Sequence, residues 1–561
     1  MPDTMTSDTR VDLTPHYYHD NFERMLQVVE ARYADLLSVE EQEVLARIRR
    51  LPLNARCLYI RLVSRSGPWF RESKLDYSEI TETGEALDAL LADGLALEAA
   101  QLDIAEAARI FTHAELQAAC AGRLPAGRFA RKPDLLDAIE QHLGDANTNA
   151  LLTYLAAIDT QRIVSPLHTG LIERLLLLFF GNRRQTLTEF VLDELGVTRY
   201  WPYPMDSTQR LFPNRRALDE YLACAEVGDQ HRQAMAAKQC EALPELAAQA
   251  LATEPRSVAA RARWERLCNS LARDLERSGE LSLAAGLYQR SGRHPSRERR
   301  ARILERQGDW RAASTLCHSM LADPWCEAEQ TAAARILPRV ERKLGRAPRR
   351  CSRDHFAQLE LALPVGEQAV ERRVAEHLGN NWQSVHYVEN SLMNALFGLA
   401  FWEVIFAPLE GVFHNPYQAG PSDMYETTFR HRRASLIAAR MQELREGDLQ
   451  ALLLDAWDRY NSFQCRWVDW RRIDCELVAT AAHCIPRAHL LAIFERLLFD
   501  PRENRCGFPD LIAFGNTPGD YCLIEVKGPG DALQDSQKRW LRFFATQGVP
   551  AKVAWVSWRD A

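Results

Sequence analysis

The stretch that most constrains this chain lies near its C-terminus. Gly507-Phe508-Pro509-Asp510-Leu511-Ile512-Ala513-Phe514 is followed, after a short gap, by Tyr521-Cys522-Leu523-Ile524-Glu525-Val526-Lys527-Gly528-Pro529-Gly530. Both read as short strands. Side chains two apart on a strand share a face, so Glu525 and Lys527 point one way while Ile524 and Val526 point into a core. The intervening Gly515-Asn516-Thr517-Pro518-Gly519-Asp520 is turn chemistry, so the two runs form a hairpin. A hairpin brings Asp510 near Glu525. Two carboxylates that close are unfavourable unless a cation sits between them. An oxygen-only donor set suits magnesium or manganese rather than zinc.

The competing reading is an ordinary hairpin with a Glu-Lys pair on one face. The preceding Pro-Asp, the apolar flanks and the Gly-Pro-Gly-Asp exit before a helix favour chemistry instead. The pattern resembles the PD-(D/E)xK nuclease signature, with Asp510, Glu525 and Lys527 in its three places. The carboxylates would hold one or two divalent ions that polarise a scissile phosphate and generate hydroxide. Lys527 would orient the attacking water or neutralise transition-state charge.

Composition limits the alternatives. At 561 residues the chain is too long for one core, and three or four domains are expected. A net charge of −7 means that any nucleic acid must be met by local basic patches. The 13 cysteines show no Cys-x-x-Cys pair, which argues against a disulfide framework and a zinc ribbon and fits a reducing cytosol. Residues 1 to 10 are polar, so no signal peptide is expected. The most apolar run, Leu175 to Phe180, is far shorter than a membrane span.

Residues 15 to 65 carry helical periodicity, with Tyr18, Phe22, Met25, Leu26 and Val29 on one face. This region reads as scaffold. Phe111 to Cys120 and Pro133 to Leu143 are two short helices joined by a basic link through Arg123, Arg128, Arg131 and Lys132. Helix, basic link, helix is the pattern of the SAP module, which grips duplex DNA by its backbone. Arg128, Arg131 and Lys132 are the candidate phosphate contacts. A solvated loop between helices has the same composition. Residues 240 to 345 are alanine-rich and helical, with Gly279-Glu280-Leu281 and Gly308-Asp309-Trp310 punctuating two hairpins of a tetratricopeptide-like array.

From Val385 onward, Met393, Leu396, Phe397, Ala400, Phe401 and Val404 form an apolar helical stripe, and Glu389 falls on it. Glu389 is either a first-turn acid favouring the helix dipole or a third acidic metal ligand. Downstream, a helix from about Asp531 to Thr546 ends at Gly548 and precedes a strand from Val549 to Trp558. Gln537 lies on that helix, where it either leans over the metal site or stays in solvent.

Taken together, Arg505-Cys506-Gly507-Phe508-Pro509-Asp510, Glu525-Val526-Lys527-Gly528-Pro529-Gly530-Asp531 and Gln537-Lys538-Arg539-Trp540-Leu541 resemble the virus-type replication-repair nuclease (VRR-NUC) domain. Val385-His386-Tyr387-Val388-Glu389-Asn390, Trp402-Glu403-Val404-Ile405-Phe406, the SAP-like segment, the repeats and Gly67-Pro68-Trp69-Phe70-Arg71 extend the similarity to the Fanconi-associated nuclease family. The resemblance implies a structure-specific nuclease. It would cut near the junction of 5′-flap DNA with 5′-to-3′ polarity, in repair that includes interstrand cross-links. It implies Glu389, Asp510, Glu525 and the main-chain carbonyl of Val526 as ligands of Mg2+ or Mn2+, with Lys527 beside them. Arg505 sits where the family places a basic residue near a 5′-terminal phosphate.

The expected fold is multidomain and mostly α. An N-terminal helical region (1–75) precedes a SAP-like DNA-binding domain (76–228) and a TPR-like helical array (229–375). An α/β restriction-endonuclease-like core of the VRR-NUC type (376–561) ends the chain. The partner is branched or flapped double-stranded DNA. Neither a membrane nor a ubiquitin-binding zinc finger is expected, and the setting is a bacterial cytoplasm with nucleoid association on DNA. The alternatives are a resolvase or restriction-type endonuclease on the same core, or a DNA-repair scaffold whose catalytic core has decayed.

Overall fold

The structure is a computed structural model. It describes residues 15–65, 67–100, 102–124, 129, 131–143, 153–156, 158–159, 162–185, 199–347 and 354–559. The chain divides into two compact units, 1–198 and 199–561. In the first unit, helices Tyr17–Tyr33, Val39–Arg50 and Leu53–Ser64 follow the expected periodicity, and Phe22, Met25, Leu26 and Val29 are fully buried. A Ser38–Glu41 capping box starts the second helix, each side chain satisfying the other residue's orphan N–H. The sequence did not reveal a small antiparallel sheet. Strands β1 (Phe70–Arg71) and β2 (Ala96–Glu98) flank β3 (Ile163–Pro166), which is too remote in sequence to be paired with them by pattern alone.

The SAP-like segment is present as helices His113–Ala119 and Lys132–Leu143, packed through Phe111, Leu116, Leu135 and Ile139. The link leaves the first helix as a turn at residues 121–124. Arg128 lies outside the described residues.

In the second unit, seven helices from Arg215–Ala236 to Glu327–Lys343 stack as the array, two of them ending on Gly279 and Gly308 as the sequence predicts. A mixed five-stranded sheet follows, in the order β4-β8-β7-β6-β5. Its strands are β4 (Gln358–Pro364), β5 (Ser384–Tyr387), β6 (Leu511–Phe514), β7 (Tyr521–Lys527) and β8 (Ala551–Arg559). Neither β4 nor β5 was expected. Each is a short edge strand whose partner lies more than 100 residues away, so its alternation has no local confirmation. The helix before β8 runs Asp535–Gln547. It starts later than expected, because Asp531 accepts from the Gly528 N–H in a tight turn and Gln534 provides the cap.

β6 and β7 are antiparallel as predicted, with Leu511 opposite Ile524 and Phe514 opposite Tyr521. Both faces of the sheet are covered. Ala513, Cys522, Ile524 and Val526 pack into one apolar cluster with Leu361 and Val374, while Ile512, Phe514, Tyr521 and Leu523 join another with Trp540 and Phe544. The face that carries Glu525 is therefore as dry as the other.

A buried polar contact joins the last array helix to the nuclease region. Arg496 Nη2 lies 2.7 Å from Glu327 Oε1, and Asn504 Nδ2 donates to the same oxygen at 3.3 Å. The Glu327 N–H donates to Asp500 Oδ2 at 3.0 Å. Removing one member of such a buried pair strands the other charge and costs about 3 kcal/mol. Glu327→Ala should therefore lower the melting temperature of the full chain in calorimetry, with Glu327→Gln falling between it and the parent. An unchanged melting temperature for Glu327→Ala would show that the contact contributes nothing.

Candidate active site

Continuing the β6–β7 register by one residue places Asp510 opposite Glu525. The Val526 N–H donates to Asp510 Oδ2 at 2.8 Å, fixing the carboxylate against the strand edge. Lys527, two residues on from Glu525 and so on the same face, brings Nζ to 2.7 Å from Glu525 Oε1. Gly507 makes the approach to this edge. Its φ of +88° and the Ser536 side chain 2.7 Å from where a Cβ would lie leave no room for a larger residue.

All three groups are withdrawn from water, with Glu525 at 1%, Lys527 at 8% and Asp510 at 9% exposure. Burial pushes the Asp510 carboxyl up to about 6, against the pull of the Val526 N–H. Burial, then the neighbouring Asp510 charge, pushes Glu525 up to about 7, with Lys527 opposing. A buried acid pair raised in this way is an arrangement that a cation between the carboxylates would relieve.

Glu389 lies in the turn between β5 and the helix Leu392–Ala400, not on the helical stripe. That helix is buried on every side, so its apolar period extends no further toward the N-terminus than Leu392. The turn is held by Asn390 in the left-handed region at φ +50°, whose Oδ1 accepts from the Phe508 N–H at 3.2 Å. The Val388 N–H donates to the Asp510 carbonyl at 2.8 Å, tying this turn to the Asp510 strand. Glu389 accepts from the Tyr387 hydroxyl and from Asn390 Nδ2, and its charge acts on both Asp510 and Glu525. Among the described residues, no three carboxylate, imidazole or thiol groups already stand within reach of one metal ion. The fit to a divalent cation rests on the chemistry of the buried Asp510–Glu525 pair, with Glu389 close enough to perturb both.

Other expected site residues are less gathered. Gln537 sits in the first turn of its helix, where its amide oxygen accepts from the Gln534 N–H at 2.8 Å. Arg505 Nη1 donates to the Tyr425 hydroxyl at 3.2 Å. Arg131 is exposed and paired with Asp134 at 3.1 Å, while Lys132 donates to the Ala108 and Phe111 carbonyls at a helix end. Glu371 was not anticipated. It lies in the first turn of helix Val370–Leu378, and its charge also raises Asp510. It falls in the segment read as array, and only the three-dimensional packing of that helix on the sheet brings it into view.

Several known proteins are similar to this chain. Residues 444–558 match the VRR-NUC domain model, and residues 16–96 match the model described as "FAN1, HTH domain". A Fanconi-associated nuclease 1 homolog of Pseudomonas aeruginosa is 36% identical over 97% of this chain and 96% of its own length. A homolog of the same name in Arabidopsis thaliana is 26% identical over 96% of this chain and 66% of its own. Among solved structures, paFAN1 bound to DNA with a 2-nucleotide 5′ flap and a gap superposes with a TM-score of 0.81. It is 34% identical, covering 98% of this chain and 99% of that one.

The raised Asp510 value has a measurable cost. It is absent below the unfolded carboxyl pKa near 4, grows as pH rises, and is complete above about 6. In chelator at pH 8, Asp510→Asn should therefore be more stable than the parent by about 1–3 kcal/mol, read as a higher melting temperature, and the two should converge near pH 4. Equal melting temperatures at pH 8 would show that burying the Asp510 charge carries no cost.

Proposed function

The chain belongs to the Fanconi-associated nuclease family, and on that footing we propose that it cuts DNA near the junction of a 5′ flap, degrades with 5′-to-3′ polarity and serves repair that includes interstrand cross-links. It is a divalent-metal-dependent nuclease acting on phosphodiester bonds. The observation that carries the reading is the buried Asp510–Glu525 pair with Lys527 on the same strand face. The two paFAN1 structures solved with 5′-flap DNA support flapped DNA as the substrate.

A bound divalent cation supplies Lewis-acid polarisation of the scissile phosphate and a water of lowered pKa. Asp510 and Glu525 offer hard oxygen donors, in keeping with Mg2+ or Mn2+. Glu389 and the Val526 carbonyl would complete the donor set. The Lys527 ammonium, buried beside Glu525, keeps a fixed positive charge where negative charge develops on the phosphate oxygens, and a dry setting strengthens it. Gln537 retains its amide nitrogen as a donor. Arg128, Arg131, Lys132 and Arg505 meet backbone phosphates, which position DNA without reading its bases. The four segments 1–75, 76–228, 229–375 and 376–561 divide this labour into scaffold, grip, array and catalysis. Free thiols throughout the described residues suit a reducing bacterial cytoplasm.

The test is a labelled flap assay in magnesium or manganese. Asp510→Ala and Lys527→Ala should each lose cleavage by about a thousandfold, in line with loss of a transition-state charge partner, while flap binding in a gel shift stays within about threefold. Wild-type cutting by either variant removes these residues from the site. Equal cutting of four-way junctions and flaps, or cutting at a single sequence, would instead favour a resolvase or restriction-type enzyme, and an inert parent a decayed scaffold.

A further inference from the structure

Glu389 differs from the two buried acids in how the chain carries it. Glu525 lies within β7 and Asp510 at the start of β6, both fixed by the sheet, whereas Glu389 sits in the turn between β5 and the helix Leu392–Ala400. It is only partly buried, and its charge acts on both Asp510 and Glu525. Like charges repel, so an unsupported carboxylate there would turn away into solvent. Both of its oxygens are instead held, one from each side in sequence. The Tyr387 hydroxyl donates to Oε2, and Asn390 Nδ2 donates to Oε1 at 3.2 Å. An ionised carboxylate offers about four acceptor positions, so two bonds leave room for a further partner.

Asn390 holds its side because its amide has one orientation open to it. Phe508 is buried with its ring 4.0 Å from that of Trp540, so its N–H is a fixed donor that needs a partner. Asn390 Oδ1 accepts that N–H at 3.2 Å, which turns Nδ2 toward Glu389. The amide therefore spans from the Phe508-Pro509-Asp510 run to the third carboxylate. The backbone supports it: φ of +50° is a left-handed conformation that asparagine adopts more readily than most residues. The Asn390 carbonyl accepts from Asn394 Nδ2 at 2.7 Å, and the Ser391 N–H and hydroxyl both donate to the Val388 carbonyl, at 2.9 and 3.0 Å. Tyr387 holds its side differently. It closes β5 opposite Leu511 and is 47% exposed, so little packing accompanies its hydroxyl bond.

We propose that Tyr387 and Asn390 are positioning residues that hold Glu389 toward the buried Asp510–Glu525 pair before any cation binds. Neither touches the reacting atoms; both act through the Glu389 carboxylate. The role rests on the reading of Glu389 as a donor to a divalent cation, and it says what keeps that donor in place against the repulsion of its neighbours. Partners that orient a ligand in this way are commonly worth about tenfold to a hundredfold in metal affinity.

The test is Mn2+ binding to the full chain without DNA, followed by titration calorimetry. Tyr387→Phe removes only the hydroxyl, and Asn390→Gly keeps the left-handed backbone while removing the amide. Each should weaken Mn2+ binding about tenfold, with exposed Asn380→Ala as the unchanged control. In a Glu389→Ala background, itself weaker, neither substitution should weaken binding further, because both act through that carboxylate. In flap cleavage the single variants should raise the Mn2+ concentration for half-maximal rate about tenfold, with the rate at saturating Mn2+ within about threefold of the parent. Melting temperatures in chelator report folding. Should Asn390→Gly lower that temperature, Tyr387→Phe alone decides, since it alters no backbone bond. Weakening that persists in full without Glu389 would reduce both residues to structural supports, and parent-like binding by both single variants would overturn the proposal. A parent chain that binds no Mn2+ would instead sink the metal reading and this one with it, so the two failures are told apart.

Discussion

Two like charges buried on one strand edge set the terms for the rest of the nuclease region. Asp510 and Glu525 face each other because the β6–β7 register leaves them no other position. They stay dry because the helix Asp535–Gln547 and Phe508 cover the face that an isolated hairpin would give to water. Lys527 offsets part of the repulsion, and the Val526 N–H offsets a further part. The remainder is what a cation held between the two carboxylates would relieve. A sheet with one open face would let both acids relax into solvent and remove the cost that raises them.

Much of this was legible in the sequence, for a physical reason. Strand alternation has a period of two, so Glu525 and Lys527 had to share a face, and a short polar turn had to fold Asp510 back toward them. Gly279, Gly308 and Gly548 ended helices where they were expected to, since each adopts positive φ. Other features depended on remote partners. β4 and β5 join the sheet from far upstream, and Glu371 reaches the site only through them. In sequence the apolar period runs back from Leu396 through Met393 to Glu389, whereas Asn390 in a left-handed conformation ends the strand and resets the phase before the helix begins. Gln537 is committed through its oxygen to a capping box, and Lys132 to carbonyls, interactions that no side-chain inventory reveals.

The acidic balance of the chain and its need to meet DNA are reconciled locally. Most arginines of the array are bound to glutamates, as Arg297 is to Glu329 and Arg339 to Glu305, and so contribute little net field. Arg466 and Arg505 are set apart by the lack of such partners, close to the reacting groups. In a chain of net charge −7, such local unpaired charge beside the reacting groups is what could meet a polyanion.

The Glu327 contact carries a consequence for modularity. The sheet begins at β4, yet its supporting loop leans on a carboxylate from the preceding repeat helix. A catalytic fragment trimmed at the sheet boundary would expose the Arg496 guanidinium and the Asp500 carboxylate that this helix now covers. Shuffling the core between proteins would succeed only where the final superhelical turn travelled with it.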